Sequence, residues 1–443
     1  MQFSKFQTKR HFISGKLVIG IDPSKEKYDA AVIDPLGLLQ GKTFSFKNTH
    51  DGLDKQLWNC LNSRVPDLSK ENTVFAIEAA CNLWQKLSEY LISKGFHVVI
   101  INPFSTKKAR SLINHSFSKT DAKDALVIAN LAHEGYFDFY HIHSDSTKAL
   151  HDLAVTYDKL KKSMNQARLR LRALVELTFP EFPKIVRMNT NTALYLLERF
   201  ITPQEFLYAD VFATVQGMEA VSRKQKGFAT LKEIRLAAKT SIGLSLDVEQ
   251  IQAAQVARDS WVAMTQLLLR QIDLVLSQII AMAKQRSYFL ILTSIKGISD
   301  ISASLFIAEV RELEHFHHYK QLEAFAGLSI RVCDSGKYKG YRHINHIGNG
   351  RLRSILYGMT VETKNHIPEV RIRFLKRQMK NGRFRRDIVA CSSNLLKLIM
   401  AMVKENRPYE FRDEKVKELE KLEKQFEALK NKKNNKRSYK KAS

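Results

Sequence analysis

The sequence predicts an α/β unit followed by a much longer, mostly helical region, and three observations carry that prediction. Short β-branched runs such as "KLVIGID", "TVFAIEA" and "HVVIIN" alternate with amphipathic helical stretches over residues 16–140. Strand signals then vanish between about residues 147 and 286, where apolar residues recur at helical spacing. The chain of 443 residues is also too long for one ordinary domain. The expected divisions are 1–146, 147–286, 287–410 and 411–443.

Taken in order, "KLVIGID" reads as a buried strand ending at Asp22. "YDAAVID" and "KTFSFK" follow at hairpin spacing, separated by Pro and Gly turns. "DGLDKQLWNCLN" is amphipathic, and "TVFAIEA" is a strand with Glu78 at its C-terminal end. The helix "LWQKLSEYLISKG" stops at Gly95, and the strand "HVVIIN" is closed by Pro103. Three strands, helix, strand, helix, strand, helices is the order of an RNase H-like domain, whose first strand lies beside its fourth.

That order brings Asp22 and Glu78 to one sheet edge. In "SKTDAKDALVIANLA", Asp121 and Asp124 stand three apart at a helix start and share a face. Taken alone, the pair is equally an acidic first turn complementing the helix dipole. Together the four are harder to dismiss, because converging carboxylates cannot all stay ionised without a cation. Hard oxygen donors select Mg²⁺ or Mn²⁺, and two such ions clamp the attacking and leaving oxygens of a phosphodiester. Asp29 and Asp34 lie in or after the second strand, a poorer place to meet Glu78.

In the second region Leu150, Leu153, Leu160, Met164, Ala167, Leu171 and Leu174 mark a long helix that ends at "FPEFP". Trp261, Met264, Leu268, Ile272, Val275, Ile279 and Met282 form a heptad-like stripe on another. An antiparallel helical pair and a dimerising coiled coil both fit this pattern. The tail begins as an amphipathic helix through Val416, Leu419, Leu422, Phe426 and Leu429. It ends in the acid-free run "KNKKNNKRSYKKAS", expected to be disordered and polyanion-seeking.

The net charge of +26 implies a polyanionic partner, most often nucleic acid, since each cation placed on a phosphate releases a counterion. No apolar run is read as long enough to cross a bilayer, and the basic N-terminus lacks a signal-peptide apolar region. The expectation is a cytoplasmic protein with no membrane partner. Cys60, Cys81, Cys333 and Cys391 are scattered without a CxxC pair, which supports neither a disulfide framework nor a zinc site.

The third region holds "LTSIKGISDISASLFIAEV", a helix–turn–helix reading whose turn can offer backbone N–H groups to a phosphate. "KQLEAFAGLSIRVCDSGKYKGYRHINHIGNGRLRSILYGMT" follows, rich in Gly, Lys, Arg and His. His343 and His346 lack a third metal ligand in view and read as phosphate contacts or turn positions. Lys119, Lys337, Lys339, Arg342, Arg351 and Arg353 are the candidate nucleic-acid cations. Ser335, in "VCDSGKYKG", reads on its own as a loop serine with no activating neighbour.

The carboxylate spacing, "KTDAKDA" and the "IKGIS…FAGLSIRVCDSGK…GNGRLRSILY" stretch, with "LTFPEF" and "TALYLLERF" between them, resemble the DEDD transposases of the one-ten/eleven-eleven group of bacterial insertion sequences. That group includes the Piv-type invertases. The resemblance implies a RuvC-like N-terminal domain, a coiled-coil connection and a C-terminal transposase domain. It implies that Asp22, Glu78, Asp121 and Asp124 hold Mg²⁺ or Mn²⁺, and that Ser335 is the nucleophile that becomes linked to DNA. It further implies double-stranded donor and target DNA as substrates, a noncoding bridge RNA as guide, a homodimer or homotetramer, and a place at the bacterial nucleoid. The long central region and basic tail depart from that pattern. The residues alone leave two alternatives: a metal-dependent junction nuclease that uses water, and a non-catalytic RNA-binding protein.

Overall fold

The computed structural model describes residues 2–66, 68–80, 82–114, 121–140, 144–331, 334–335, 338–339, 343–345 and 347–442. The chain divides into two compact units, Met1–Ile142 and His143–Ser443.

In the first unit, α1 (Gln2–Ile13) precedes three strands, β1 (Leu17–Pro23), β2 (Lys27–Ile33) and β3 (Phe44–Lys47). Then come α2 (Leu57–Asn62), β4 (Thr73–Glu78), α3 (Leu83–Ser93), β5 (His97–Ile101), α4 (Pro103–Asn114), α5 (Asp121–His133) and β6 (Asp138–Phe139). The sheet order is β3-β2-β1-β4-β5-β6. β1 runs antiparallel to β2 and parallel to β4, and β4 is parallel to β5. The first strand therefore does lie beside the fourth.

Side chains alternate across β1, so its two faces build two cores. Leu17, Ile19 and Ile21 pack with Leu57, Leu61, Leu87 and Leu91 on one face. Val18, with Val74, Ala76 and Val99 of the neighbouring strands, packs against Ile128, Ala129 and Ala132 of α5 on the other.

Two elements of this unit, α1 and β6, carry no clear sequence signal. α1 has no apolar face of its own and is held by what it touches. Lys9 donates to the Phe137 carbonyl and pairs with Asp138, Arg10 pairs with Glu134, and Phe12 meets Phe137 and Phe139.

The second unit opens with α6 (Asp145–Thr178), which pairs antiparallel with α12 (Val248–Ala283). Leu150 and Ala154 share a cluster with Ile279 and Ala283, while Leu171 and Val175 share one with Val262. Between them stand α7 (Phe182–Ile185), α8 (Asn191–Leu197), α9 (Pro203–Tyr208), α10 (Val211–Ser222) and α11 (Phe228–Lys239). Phe179, Phe182, Phe200 and Phe206 form the aromatic centre of this helical insertion.

The buried row of α12 is Ala254, Arg258, Val262, Thr265, Ile272, Ile279 and Ala283. It shares only Ile272 and Ile279 with the heptad stripe, and Met264 is exposed. α12 is also long and apolar enough to cross a membrane by length and composition, which the sequence reading did not anticipate. Its packing along α6 and its charged Arg258, Asp259, Arg270 and Asp273 account for it as one arm of a helical pair.

Next are α13 (Phe289–Thr293), α14 (Asp300–Val310), α15 (Tyr319–Phe325) and four two-residue strands: β7 (Ile330–Arg331), β8 (Asp334–Ser335), β9 (Tyr338–Lys339) and β10 (His343–Ile344). α16 (Gly350–Thr363), α17 (Pro368–Asn381), α18 (Phe384–Lys404) and α19 (Val416–Ala442) complete the unit. Leu419, Leu422 and Phe426 of α19 dock on Ile372 and Leu375 of α17. Lys376–Glu418 and Arg371–Glu423 ion pairs flank that contact. The basic run is drawn as part of α19 as far as Ala442. The helix begun by the docked residues simply continues, since Lys, Arg and Asn interrupt it with no Pro or Gly.

Candidate functional site

The register Ile21↔Ile77 sets Asp22 and Glu78 side by side at the C-terminal ends of two parallel strands. Both continue the alternation of Val18, Val74 and Ala76, so both belong to the face covered by α5. Glu78 is buried.

Gly20 brings α5 onto that face. A Cβ there would lie 2.4 Å from the Ala125 carbonyl oxygen and 2.4 Å from the Ala129 nitrogen. Only a residue without a side chain lets the helix backbone rest on β1. Ala125 is the neighbour of Asp124, so the same contact places the third acid over the strand ends. Asp121 opens α5 one turn earlier, and its side chain lies outside the described part.

Arg110, on α4, reports the convergence. Its Nε and a terminal guanidinium nitrogen each donate to a different oxygen of Asp124, both at 2.5 Å. Asp124 is only 1% exposed. The guanidinium is held protonated above its ordinary range, first by its hydrogen bond to Asp124 and then by the charges of Asp124, Glu78 and Asp22. Three acids from β1, β4 and α5 thus lie within electrostatic reach of one cation.

Among the described residues no three His, Cys, Asp or Glu side chains stand close enough to hold one ion. The donor chemistry still fits a hard divalent cation, since the converging groups are carboxylates and their charge already demands a positive partner. Asp29, set aside on sequence, sits in β2 with Lys27 and Ser45 on its carboxylate. Asp34 accepts the Leu36 and Leu38 amides in a turn.

In the second unit, Gly297 (φ +100°) makes the turn between α13 and α14, and Ser299 caps α14 by accepting from the Ser302 amide. A cleft of about 400 Å³ lies here, lined by Gly297, Ile298, Ser299, Ser302, Gly358, Met359 and Glu362. A Cβ on Gly297 would press to 3.0 Å from the Glu362–Thr363 backbone, so the glycine is needed for close packing as well as for its positive φ.

Ser335 lies in β8, with its backbone paired to Tyr338 of β9. The outer pair, β7 and β10, is joined through Arg331↔His343 and Ile330↔Ile344. Backbone bonds extend that stem and tie its base to α15: Asn345 donates to Ser329, and Asn349 to Phe325. Asn349 also caps α16, and its side-chain amide donates to the buried Glu309 at 2.6 Å. Arg351 closes on the same carboxylate at 2.5 Å. Arg353 donates to the Ala326 carbonyl at 3.0 Å. Both cations therefore have intramolecular partners, an anchoring role that sequence reasoning missed.

Lys119, Lys337, Arg342 and His346 lie outside the described residues, as do the side chains of Ser335, Lys339 and His343. Of the cysteines, Cys60 and Cys391 are free thiols, and burial pushes Cys391 up to about 11. Cys81 and Cys333 lie outside the described residues.

Two family models match. The DEDD transposase model of the IS110 type covers residues 19–180, which include Asp22, Glu78, Arg110, Asp121 and Asp124. The model for the Transposase IS116/IS110/IS902 family covers residues 290–374, which include the turn at Gly297 and Ser335. No curated protein matches the chain. The two matches fall on the acidic end of the first unit and the serine-bearing stem of the second, and the chain belongs to the IS110-type DEDD transposases, enzymes that recombine DNA.

Proposed function

We propose that this transposase cuts and rejoins DNA through a covalent link to Ser335, assisted by Mg²⁺ or Mn²⁺ held by Asp22, Glu78, Asp121 and Asp124 on an RNase H-like (RuvC-like) unit. The observation that carries the reading is the pairing of Asp22 and Glu78 at adjacent strand ends under the helix whose Asp124 is engaged by Arg110. When bound, the divalent ion supplies Lewis-acid stabilisation of the charge that develops on the phosphate and the leaving oxygen.

The chain's own residues do the rest. The Ser335 Oγ loses its proton and attacks phosphorus. The P–O bond to the deoxyribose breaks, and the departing sugar oxygen takes up a proton. A phosphoserine diester replaces the DNA phosphodiester, so a hydroxyl of a new strand can reverse the step without ATP. Lys337, Lys339 and Arg342 neutralise phosphate charge beside the serine. A structured bridge RNA selects donor and target DNA, a reading supported by the net charge of +26 and the basic end of α19. Exposed Val256, Leu267 and Leu274 on α12 support assembly into a homodimer or homotetramer along the helical pair. The setting is the bacterial nucleoid.

The test incubates the protein with end-labelled donor and target DNA, the RNA that copurifies with it, and Mg²⁺, then denatures it and maps labelled peptide by mass spectrometry. An adduct on Ser335 is expected. It should disappear in Ser335→Ala with DNA binding retained, and fall at least about a hundredfold in Glu78→Gln or Asp22→Asn. Cleavage by Ser335→Ala without an adduct would put a water-using junction nuclease in its place.

A further inference from the structure

One acid of the cluster, Asp124, already holds a cation, and it belongs to the protein. The fork of Arg110 engages both oxygens of Asp124 at 2.5 Å, and the carboxylate is almost wholly buried. Glu78 is buried as well, and Glu78 and Asp22 add their attraction to the same guanidinium. A buried carboxylate needs such a partner, because an uncompensated charge in the interior is strongly destabilising. A guanidinium at hydrogen-bond distance from both oxygens also places a positive charge where a divalent ion would approach, and two cations repel.

We propose that Arg110 is the resting counter-cation of the acidic cluster, and that a divalent ion and Arg110 compete for Asp124. The proposal rests on the reading of Asp22, Glu78, Asp121 and Asp124 as the ion site. The Arg110 side chain is 29% exposed, so the guanidinium can swing to water while the helix that carries it stays in place. Arg110 thereby offsets one of the site's negative charges without metal, and sets how tightly metal is held.

The competition is measured on the full-length protein, with Mn²⁺ as probe, by calorimetric titration and by Mn²⁺-dependent melting. Arg110→Gln removes the charge and keeps a hydrogen-bonding side chain. Its Mn²⁺ affinity should rise at least about tenfold, because the ion no longer displaces a paired charge. Its metal-free melting temperature should fall below that of the unsubstituted protein, and saturating Mn²⁺ should raise it by a larger step. Arg110→Lys keeps the charge and loses the fork, so its affinity should fall between the two, which keeps the test open if Arg110→Gln folds poorly. Unchanged or weaker Mn²⁺ binding in both variants would overturn the competition and leave Arg110 as a residue that merely positions Asp124. If Asp124→Asn leaves Mn²⁺ binding as it is in the unsubstituted protein, the ion site itself is misassigned, a failure separate from that of the Arg110 competition.

Discussion

The two candidate reacting regions are built in opposite ways. The acids of the first unit sit at the ends of regular elements: two paired parallel strands and a helix pressed backbone-to-backbone on one of them. The serine of the second unit sits in a two-residue strand, beyond a two-residue stem anchored to helices by a few hydrogen bonds. Carboxylates that must meet one ion need fixed spacing, and a sheet supplies it. A nucleophile that must reach a strand, release it and take another is better carried on a loop. The comparison teaches where each part should be sensitive. The first should fail when packing is altered beneath it, and the second when its anchors are loosened.

The strongest way to break the first region is from below. Gly20→Ala puts a methyl group 2.4 Å from two backbone atoms of α5, and neither can move without the helix. A cost of about 3 kcal/mol is expected. It should appear in urea unfolding of the first unit, with loss of DNA cleavage and unchanged unfolding of the second. A variant with full activity and stability would mean that α5 does not rest on β1 in this way.

The second region should yield more gently. Glu309→Gln keeps the shape and the acceptor for Asn349, and removes the charge that Arg351 meets. A loss of about 2 kcal/mol in the second unit is expected. Ser335 adduct formation should slow, while Mn²⁺ binding at the acids stays as it was. If the slowing came with weakened Mn²⁺ binding, the separation of the two regions would be wrong.

Much of the first region was legible in the sequence, and the reason is physical. Runs such as "LVIGID" and "TVFAIE" are buried on both faces, so they stand out as continuous apolar strands whose last residue is an acid. Gly20 left a signal as well, since a glycine inside such a run marks a close backbone approach. Arg110 left none. It lies 14 residues from Asp124 on a separate helix, and only the packing of α4 on α5 pairs them. The burial of Glu309 left no signal either, because Asn349 and Arg351 reach it from 40 and 42 residues along the chain. α1 was invisible because its sequence has no apolar face, and its order comes from residues about 125 positions away, such as Glu134 and Asp138. The helical middle was legible as two long helices. The stripe on α12 misled about its buried face, because Arg258 and Thr265 are buried where apolar residues were sought.

The smallest effect expected separates the regions by pH. The cation of the first region is an arginine, which does not titrate near neutrality. Beside the anchor of the second lies His151, whose Nδ1 donates to the Ala308 carbonyl at 3.1 Å. Its neighbours Arg311, Glu309 and Arg351 come from the end of α14, from α14 and from α16. Burial, and then the charge of Arg311, push the imidazole below its ordinary 6.5, against a smaller upward pull from Glu309. The folded state therefore keeps His151 neutral where the unfolded chain would take a proton. Its contribution to stability is whole above pH 6.5 and is lost as pH falls from there through the lowered folded value. His151→Gln retains a donor for the carbonyl and cannot titrate. Between pH 7 and pH 5, the melting temperature of the unsubstituted second unit should fall about 2 °C further than that of the variant. Parallel melting curves across that range would show that His151 takes its proton equally in both states, and that the serine-bearing unit carries no acid sensitivity at its anchor.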